Sequence, residues 1–477
     1  MAHSPIRAQL PRERDTIAAP ATPAGRSALA VLRLSGPDAL TILRNVFAPV
    51  RAERPWTPWR MRSGWIVGEC GEPLDRALAV WMAAPTTHTG EDTAEISCHG
   101  SPIIVEKALR ACVRQGARLA DPGEFTRRAF LNGKISLAEA EAVCDMITAE
   151  TETALETARR QLAGELSVRI SAIREGALDA LAEIEAHLDF AEEDIAPCDF
   201  NRLADSLDGC SEEVDALLAH SERGRRLRDG ARIVAVGRVN VGKSSIFNSL
   251  IGMERAISTP HPGTTRDSIE ARIDLRGFPV DLVDTAGIRP AADEIEAMGI
   301  ERAKREIERA DLLLWVIDGS VAPNREDYQV FRLVMDLQGL LIVNKSDLPE
   351  SEQTGAFLHS IRQEAGEGSA WRLSPVRVSA KTRQGIGELE ERIAQALGGA
   401  GGGPETSALV SNARHAAALE SARRRLGDAG QSLRRAGEAE LAAVDLRGAI
   451  QEFDGILGID VGDEVLDRIF SRFCIGK

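Results

Sequence analysis

The stretch that decides the fold is a glycine-rich loop, Gly237-Arg-Val-Asn-Val-Gly-Lys-Ser-Ser245. An apolar run, Arg232 to Val236, precedes this loop, and the composition of Ile246 to Ile251 is that of a helix. Strand, loop and helix form the context in which the pattern G-x-x-x-x-G-K-[ST] binds phosphate. The backbone N–H groups of such a loop wrap the phosphates, and the helix directs its positive end toward them. We therefore predict a phosphate-binding loop rather than a structural glycine turn.

Two side chains of this loop have expected chemical roles. Lys243 is expected to reach the outer phosphates and to contribute to catalysis, and the Ser244 hydroxyl can ligate Mg²⁺. The loop residues predicted to bind the nucleotide are Asn240, Val241, Gly242, Lys243, Ser244 and Ser245.

A second motif follows the apolar run from Phe278 to Val283 and consists of Asp284, Thr285, Ala286 and Gly287. An acidic residue at the end of a strand can hold the Mg²⁺ shell, and a glycine N–H at this position can sense the γ-phosphate. The motif therefore predicts the switch region of a nucleotide hydrolase.

The third motif indicates which base is bound. Asn344, Lys345, Ser346 and Asp347 close a buried run that begins at Gly339. The Asp347 carboxylate can accept two hydrogen bonds from N1–H and the exocyclic amine of guanine, a pattern that adenine does not offer. We therefore predict GTP and not ATP. A backbone contact to the base edge is expected from Ser379, Ala380 and Lys381.

Composition limits the class of protein. The 477 residues are enough for two to four domains, and a net charge of −15 argues against a surface that binds nucleic acid broadly. The seven cysteines include no C-x-x-C pair, which predicts reduced thiols in a cytoplasmic protein. No run approaches the roughly 18 to 20 apolar residues of a membrane span, and the first residues lack a signal-peptide core. We expect no membrane association.

The order of patterns along the chain predicts a multidomain α/β plus all-α protein. We predict that residues 1–134 form an α/β domain, that 135–229 and 401–477 form helical segments, and that 230–400 form a P-loop module. Helical periodicity on both sides of the nucleotide module favours one helical domain with an insertion, and two separate helical domains are the alternative. Arginine clusters at 223–226, 423–425 and 434–435 fit a solvated helix face better than an RNA site.

Two charges interrupt apolar strands of the first domain, Arg33 and Glu95. A charge in such a strand is usually paired or faces a ligand. A position on an edge strand explains it equally well.

Four further features are the stretch Thr16 to Arg26, the stretch Pro122-Gly-Glu-Phe-Thr-Arg-Arg-Ala-Phe-Leu-Asn-Gly-Lys134, the nucleotide motifs and the tail Phe473-Cys-Ile-Gly-Lys477. Together they resemble the MnmE (TrmE) family of tRNA uridine modification GTPases. The resemblance implies an N-terminal tetrahydrofolate-binding α/β domain that also forms a homodimer, a helical domain and an inserted Ras-like G domain. It implies addition of an aminomethyl or carboxymethylaminomethyl group to C5 of the wobble uridine of certain tRNAs, with a 5,10-methylene or 5-formyl tetrahydrofolate derivative.

The resemblance also implies partners and further site residues. The partner is the FAD-dependent protein MnmG, in a heterotetramer or larger complex, and hydrolysis is expected to depend on K⁺ and on pairing of G domains. Glu296 is the implied water-orienting carboxylate, and Cys474 has an implied catalytic role. The implied folate contacts are Arg33, Glu95, Lys134 and Lys477. The implied K⁺ ligands are Asn240, Thr259, His261 and Thr264, and the implied Mg²⁺ ligands are Ser244 and Thr265. The implied GTP-binding loop also includes Pro260, Pro262 and Gly263.

Two other classes of protein compete with this interpretation. A ribosome-assembly switch GTPase can also contain Gly263-Thr-Thr-Arg-Asp267, but such a protein is expected to append an RNA-binding module in a basic setting. This chain appends acidic helices instead. A folate-binding scaffold with an inactive G domain is disfavoured by the intact phosphate, magnesium and guanine motifs.

Overall fold

A computed structural model describes residues 15–52, 54–189, 199–252, 269–284, 304–365, 371–398, 409–435 and 438–477. Contacts divide the chain into two compact units. The first contains Met1–Cys144, Gln161–Cys198 and Glu438–Lys477, and the second contains Asp145–Arg160 and Asp199–Gly437.

A seven-stranded sheet forms the core of the first unit. Its strands are β1 (Ile17–Pro20), β2 (Ser27–Ser35), β3 (Phe47–Pro49), β4 (Arg62–Val67), β5 (Pro73–Met82), β6 (Thr93–Gly100) and β7 (Arg118–Leu119). The spatial order is β3-β4-β5-β6-β2-β1-β7, and only the β1–β7 pair is parallel. Helices α1 (Ala39–Val46) and α2 (Pro102–Arg114) contribute to the same buried apolar cluster as the sheet, which includes Leu32, Leu43, Ile66, Ile96 and Cys112.

The strands β2 and β6 lie inside this sheet and pair with each other. Alternate residues of β2 such as Leu32 and Leu34 are buried, which leaves Arg33 on the opposite face. The explanation of Arg33 and Glu95 by an edge strand is therefore wrong, because neither strand is an edge.

Helices follow the first domain, as the periodicity predicts. They are α3 (Glu124–Leu131), α4 (Leu137–Thr148), α5 (Glu152–Leu162), α6 (Glu165–Asp189), α7 (Phe200–Leu218) and α8 (Ser221–Asp229). Ser136 and Glu139, three residues apart, predict a capping box at the start of α4, and it is present: the Glu139 N–H donates to Ser136 Oγ at 3.2 Å, and the Ser136 N–H donates to Glu139 Oε2 at 2.5 Å.

The nucleotide module is a six-stranded sheet with helices on both faces. In chain order it contains β8 (Ala231–Val236), α9 (Lys243–Ile251), β9 (Ile269–Leu275), β10 (Phe278–Asp284), β11 (Leu312–Asp318), α10 (Arg325–Val334), β12 (Gly339–Asn344), α11 (Glu352–Ala365), β13 (Trp371–Arg377) and α12 (Ile386–Gly398). The order is β13-β12-β11-β8-β10-β9, with only the β9–β10 pair antiparallel. The carboxyl ends of β8, β10, β11 and β12 therefore meet at one edge, where α/β sheets bind ligands.

The remaining helices are α13 (Ala413–Arg434), α14 (Ala439–Leu457) and α15 (Asp463–Phe470). Helix α13 packs on α7, and α14 packs on α6. Each compact unit thus contains one helix from before the nucleotide module paired with one from after it. Pairing by apolar stripes explains why both helical segments show three- and four-residue periodicity.

Candidate functional site

The loop between β8 and α9 has the backbone that phosphate binding requires. Gly237 and Gly242 have φ values of 144° and 99°, and Asn240 also has a positive φ, 65°. A Cβ on Gly237 would lie 2.3 Å from the Val316 carbonyl oxygen, and one on Gly242 would lie 2.2 Å from Asn344 Nδ2. Only glycine fits at either position.

The Lys243 side chain folds over this loop. Its Nζ donates to the carbonyl oxygens of Gly237 at 2.8 Å and Arg238 at 2.9 Å. Burial lowers the pKa of Lys243, and the nearby Asp284 carboxylate opposes that shift. The ammonium is thus held at the loop by weak neutral acceptors, which anionic phosphate oxygens can replace with stronger charge-assisted bonds.

A hydroxyl and a carboxylate meet where magnesium is expected. Ser244 Oγ donates to Asp284 Oδ2, and the Asp284 carboxylate is buried at the end of β10. Oxygen ligands of this kind suit Mg²⁺, which is bound through one or two protein oxygens together with phosphates and waters. The residues present therefore fit the ion.

The guanine motif is joined directly to the phosphate loop. Asn344 Nδ2 donates to the Val241 carbonyl oxygen at 2.8 Å, and the Ala380 N–H donates to Asn344 Oδ1 at 3.2 Å. Ser379 Oγ donates to Asp347 Oδ1 at 2.7 Å. One buried amide therefore ties together three motifs that are far apart in sequence.

The Asp347 carboxylate is prepared to accept hydrogen bonds. The hydrogen bond from Ser379 holds the pKa of Asp347 below its usual value. An ionised carboxylate is acceptor-only, which is the state that guanine's two donors need.

Sequence reasoning missed the partner of Lys345. Its Nζ lies 2.5 Å from Asp318 Oδ2 at the end of β11. Lys345 has a φ of 63°, and this ion pair fixes a residue held in an uncommon backbone conformation. The signal in the sequence was an acidic residue closing a buried strand, the same signal that identified Asp284.

The Asn240 side chain is exposed on the phosphate loop. Within the described part of the chain it makes no hydrogen bond.

A second cluster lies on the sheet of the first unit. Arg33 Nε donates to Glu95 Oε1 at 2.9 Å, and Arg33 Nη1 donates to the Gly476 carbonyl oxygen at 3.3 Å. The guanidinium also stacks over the Phe125 ring, 5.8 Å from its centroid. Both charged side chains remain about one quarter exposed, so the pair is accessible to a ligand.

The C-terminal tail docks against this cluster. Phe473 is buried with Phe130 and Phe470, and the Phe125 N–H donates to the Lys477 carbonyl oxygen at 3.2 Å. Gly476 has a φ of 93°, and a Cβ there would lie 2.1 Å from the Pro20 carbonyl oxygen. The apolar character of Phe473 and Ile475 predicts burial of both side chains, and this prediction is wrong for Ile475, which is 59% exposed. Docking by Phe473 and backbone hydrogen bonds leaves the Ile475 side chain outside.

His88 lies near this cluster. Burial lowers the pKa of His88, and the charges of Arg33 and Lys477 lower it further, so the imidazole is neutral among cations. The sequence carried no signal for His88. Lys134 Nζ donates to the Pro85 carbonyl oxygen at 3.0 Å. Cys474 is an exposed thiol.

Some predicted site residues lie outside the described residues. These are Thr259, Pro260, His261, Pro262, Gly263, Thr264, Thr265, Thr285, Ala286, Gly287 and Glu296.

The arginine clusters are engaged by protein groups. Arg225 forms ion pairs with Asp311 and Glu222, and Arg434 forms ion pairs with Asp205 and Asp208. These ion pairs agree with the prediction that the arginine clusters are charges on a solvated helix face rather than an RNA site.

Neither a cluster of metal-binding side chains nor a membrane-spanning helix occurs among the described residues. No group of three or more His, Cys, Asp and Glu side chains there is placed to hold a metal ion. None of the helices there combines the length and the apolar character needed to cross a bilayer.

Comparison with known proteins assigns the family. The profile described as "GTP-binding protein TrmE N-terminus" matches residues 16–134, and that described as "MnmE helical domain" matches residues 137–474. Curated proteins named tRNA modification GTPase MnmE are similar over 97% of this chain. That from Roseiflexus castenholzii is 44% identical over 99% of its own length, that from Chloroflexus aurantiacus 44% over 100%, and that from Synechococcus sp. (strain JA-2-3B'a(2-13)) 42% over 98%.

Similarity to solved structures is less informative than similarity to these curated proteins. A crystal structure of Aquifex aeolicus Era bound to GDP and AlF4⁻ is similar over 41% of this chain and 66% of that one, at 23% identity. Its TM-score of 0.29 is too low to support an inference. The two family profiles and the nearly full-length relatives, by contrast, agree with each other along the whole chain. The chain therefore belongs to the MnmE family of tRNA modification GTPases.

Proposed function

We propose that this GTPase is the GTP-hydrolysing component of a complex that adds an aminomethyl or carboxymethylaminomethyl group to C5 of the wobble uridine of certain tRNAs. The observation that carries the nucleotide part is the Asn344 amide, which joins the phosphate loop at Val241 to the base-edge segment at Ala380. The modification itself is proposed from family membership. The partner is an FAD-dependent protein of the MnmG type, in a heterotetramer or larger complex.

GTP and Mg²⁺ use follow from the GTPase assignment, and the residue roles are proposed from geometry. Lys243 contacts the outer phosphates, Ser244 holds Mg²⁺ together with Thr265, and Asp284 orients the Ser244 hydroxyl. The Asp347 carboxylate accepts hydrogen bonds from guanine and so selects GTP. Mg²⁺ held by these residues would help to neutralise the negative charge of the phosphates during hydrolysis.

At the position after D-x-x-G, this chain lacks the residue that orients the attacking water in many GTPases. In many GTPases the residue after D-x-x-G is a glutamine that orients the attacking water. Here that residue is Ile288, whose side chain neither donates nor accepts a hydrogen bond. We assign water orientation to Glu296, acting directly or through a second water.

The missing positive charge is assigned to K⁺. Its ligands are the Asn240 side chain, which is exposed and unbonded in the described part of the chain, together with Thr259, His261 and Thr264. A second G domain stabilises this loop in trans, much as an arginine finger is supplied in trans.

The potassium proposal makes a direct prediction. Turnover is expected to be at least about tenfold faster in KCl than in NaCl at equal ionic strength, because a comparable arginine charge contributes ~10³ or more in rate. Asn240→Ala is expected to erase the difference while leaving GTP affinity little changed. Steady-state phosphate release and fluorescent GTP-analogue titration measure the two quantities.

Two outcomes contradict different parts of this proposal. Equal rates in the two salts would remove the potassium mechanism. Salt dependence that survives Asn240→Ala would remove only the assignment of that ligand. Arg332→Ala, which removes an exposed ion pair between helix α10 and Glu364 of helix α11, is the control and is expected to behave as wild type.

We further propose a tetrahydrofolate site in the first domain, formed by Arg33, Glu95, Lys134 and Lys477. The contact from Arg33 to the carbonyl of Gly476 supports it, because the docked tail brings Lys477 to the same cluster as the Arg33–Glu95 pair. A pterin and its glutamate tail need a carboxylate and cations, which Glu95 and the three basic side chains would supply.

The domain arrangement is also part of the proposal. Residues 1–134 bind folate and form the homodimer, 135–229 and 401–477 form the helical domain, and 230–400 form the G domain. The exposed thiol of Cys474 beside the folate cluster is assigned a role in modification and none in GTP hydrolysis.

A further inference from the structure

The second residue of the phosphate loop, Arg238, has a side-chain partner that the nucleotide motifs do not explain. Arg238 Nε lies 3.5 Å from Asp327 Oδ1 in the first turn of helix α10. The Asp327 side chain is 1% exposed and that of Arg238 is 15% exposed. The pair is therefore nearly dry, which separates it from the many exposed ion pairs on this protein.

Asp327 is not free to turn away from the loop. Its Oδ2 accepts a hydrogen bond from the Asn324 N–H at 2.9 Å, and Asn324 Oδ1 accepts from the Asp327 N–H at 3.4 Å, which completes a capping box. Asp327 Oδ1 has no hydrogen-bond partner among the described residues, so its compensating charge comes from Arg238. The cap thus fixes an anionic oxygen toward the phosphate loop.

This position has an electrostatic cost for a protein that binds a triphosphate. Nε is only three bonds from Cβ, so the carboxylate lies within a short side-chain length of the loop backbone. The same Arg238 supplies a carbonyl oxygen to Lys243 Nζ at 2.9 Å. Like charges repel strongly where water is excluded, and a buried carboxylate without a counter-charge is unfavourable.

We propose that Arg238 is a positioning residue that neutralises Asp327 and so keeps the phosphate loop able to accept the negative charge of GTP. Arg238 touches neither the base nor the reacting atoms in this account. Its effect passes through Asp327 and through the loop backbone that Lys243 contacts. The inference rests on the proposed role of this loop in phosphate binding.

The proposal predicts a rescue that a merely structural role does not. Arg238→Ala is expected to weaken GTP binding by about tenfold or more, and GDP binding less, because the repulsion grows with phosphate charge. Asp327→Asn keeps an oxygen that caps helix α10 and removes the charge. The double variant Arg238→Ala with Asp327→Asn is therefore expected to recover most of the lost GTP affinity.

The experiment uses the full chain and fluorescent analogues of GTP and GDP, with the unfolding midpoint of every variant measured alongside. Arg332→Ala removes an exposed ion pair from the same helix and is expected to leave both affinities unchanged. Lys243→Ala tests the phosphate loop itself. If Lys243→Ala binds GTP as wild type does, the proposed loop function fails, and the Arg238 proposal fails with it.

Other outcomes bear on Arg238 alone. Equal losses of GTP and GDP affinity in Arg238→Ala, with no recovery in the double variant, would overturn the electrostatic proposal. The Arg238–Asp327 pair would then have a structural role only. If Arg238→Ala does not fold, the single variant Asp327→Asn tests the proposal instead. Unchanged or tighter GTP binding by Asp327→Asn supports the proposal. Weaker GTP binding by this variant, when it is folded, contradicts the proposal.

Discussion

Asp347 shows how one carboxylate selects the nucleotide. The Ser379 hydroxyl binds one of its oxygens, and the hydrogen bond keeps the pKa of Asp347 low. The folded-state pKa is depressed, so the ionised form is present above the ordinary carboxyl range. Guanine recognition by this residue is therefore expected to be constant around neutral pH.

Replacing that carboxylate changes the base that fits. Asp347→Asn presents a donor where guanine also donates, so GTP affinity is expected to fall by roughly 3 kcal/mol, the scale of two hydrogen bonds to a charged group. Xanthosine triphosphate is expected to bind the variant instead. Competition titration of the two nucleotides measures the switch. Wild-type GTP affinity in Asp347→Asn would remove Asp347 from base recognition.

At this scale the sequence predicts what is local. The phosphate loop, the Ser136–Glu139 capping box and the guanine motif each lie within a few residues, so their spacing carries their geometry. The pairs Arg238–Asp327 and Lys345–Asp318 join residues from different elements. Nothing in their spacing reveals them, because the packing of strands, loops and helices in the folded module decides which of these residues meet.

The pairing of β2 with β6 places Arg33 directly opposite Glu95. Each charge interrupts an alternating apolar strand, which the sequence shows, but the register that joins them is a property of the folded sheet. The tail contact is still more remote, since Gly476 is 443 residues from Arg33. Strand periodicity could therefore predict that these charges are special and could not predict that they share one site.

A measurement of folate binding tests the proposed role of Glu95 on strand β6. Isothermal titration with 5-formyltetrahydrofolate is expected to show binding that Glu95→Ala weakens by at least ~1.5 kcal/mol, about tenfold, because a hydrogen bond to a charged group is lost. The variant also frees Arg33 from its partner. Glu106→Ala, which removes an exposed ion pair with Arg110 on α2, is the control. Undiminished affinity in Glu95→Ala would remove Glu95 from the site.

Across the whole molecule, charge is arranged to limit nonspecific binding of RNA. The net charge is −15, and Arg225, Arg423 and Arg434 each pair with acidic side chains of their own compact unit. Counter-ion release from a broad basic surface is therefore a poor source of tRNA affinity for this chain alone.

The order of domains could be predicted because each has its own periodicity: alternation in β2 and β6, buried runs in the nucleotide module, and helical steps elsewhere. The pairing of α6 with α14 and of α7 with α13 could not. Amphipathic helices of similar composition can pack in several combinations, and the choice depends on the complete set of apolar faces.

Mass spectrometry of tRNA nucleosides tests the central claim, that GTP hydrolysis at this site drives modification of the wobble uridine. A strain that lacks the gene is compared with the same strain expressing wild type, Lys243→Ala or the control Arg332→Ala. We expect the C5-modified wobble uridine to be absent from the deletion strain, restored by wild type and Arg332→Ala, and not restored by Lys243→Ala. Persistence of the modified nucleoside in the deletion strain, or its full restoration by Lys243→Ala at wild-type protein levels, would contradict the account.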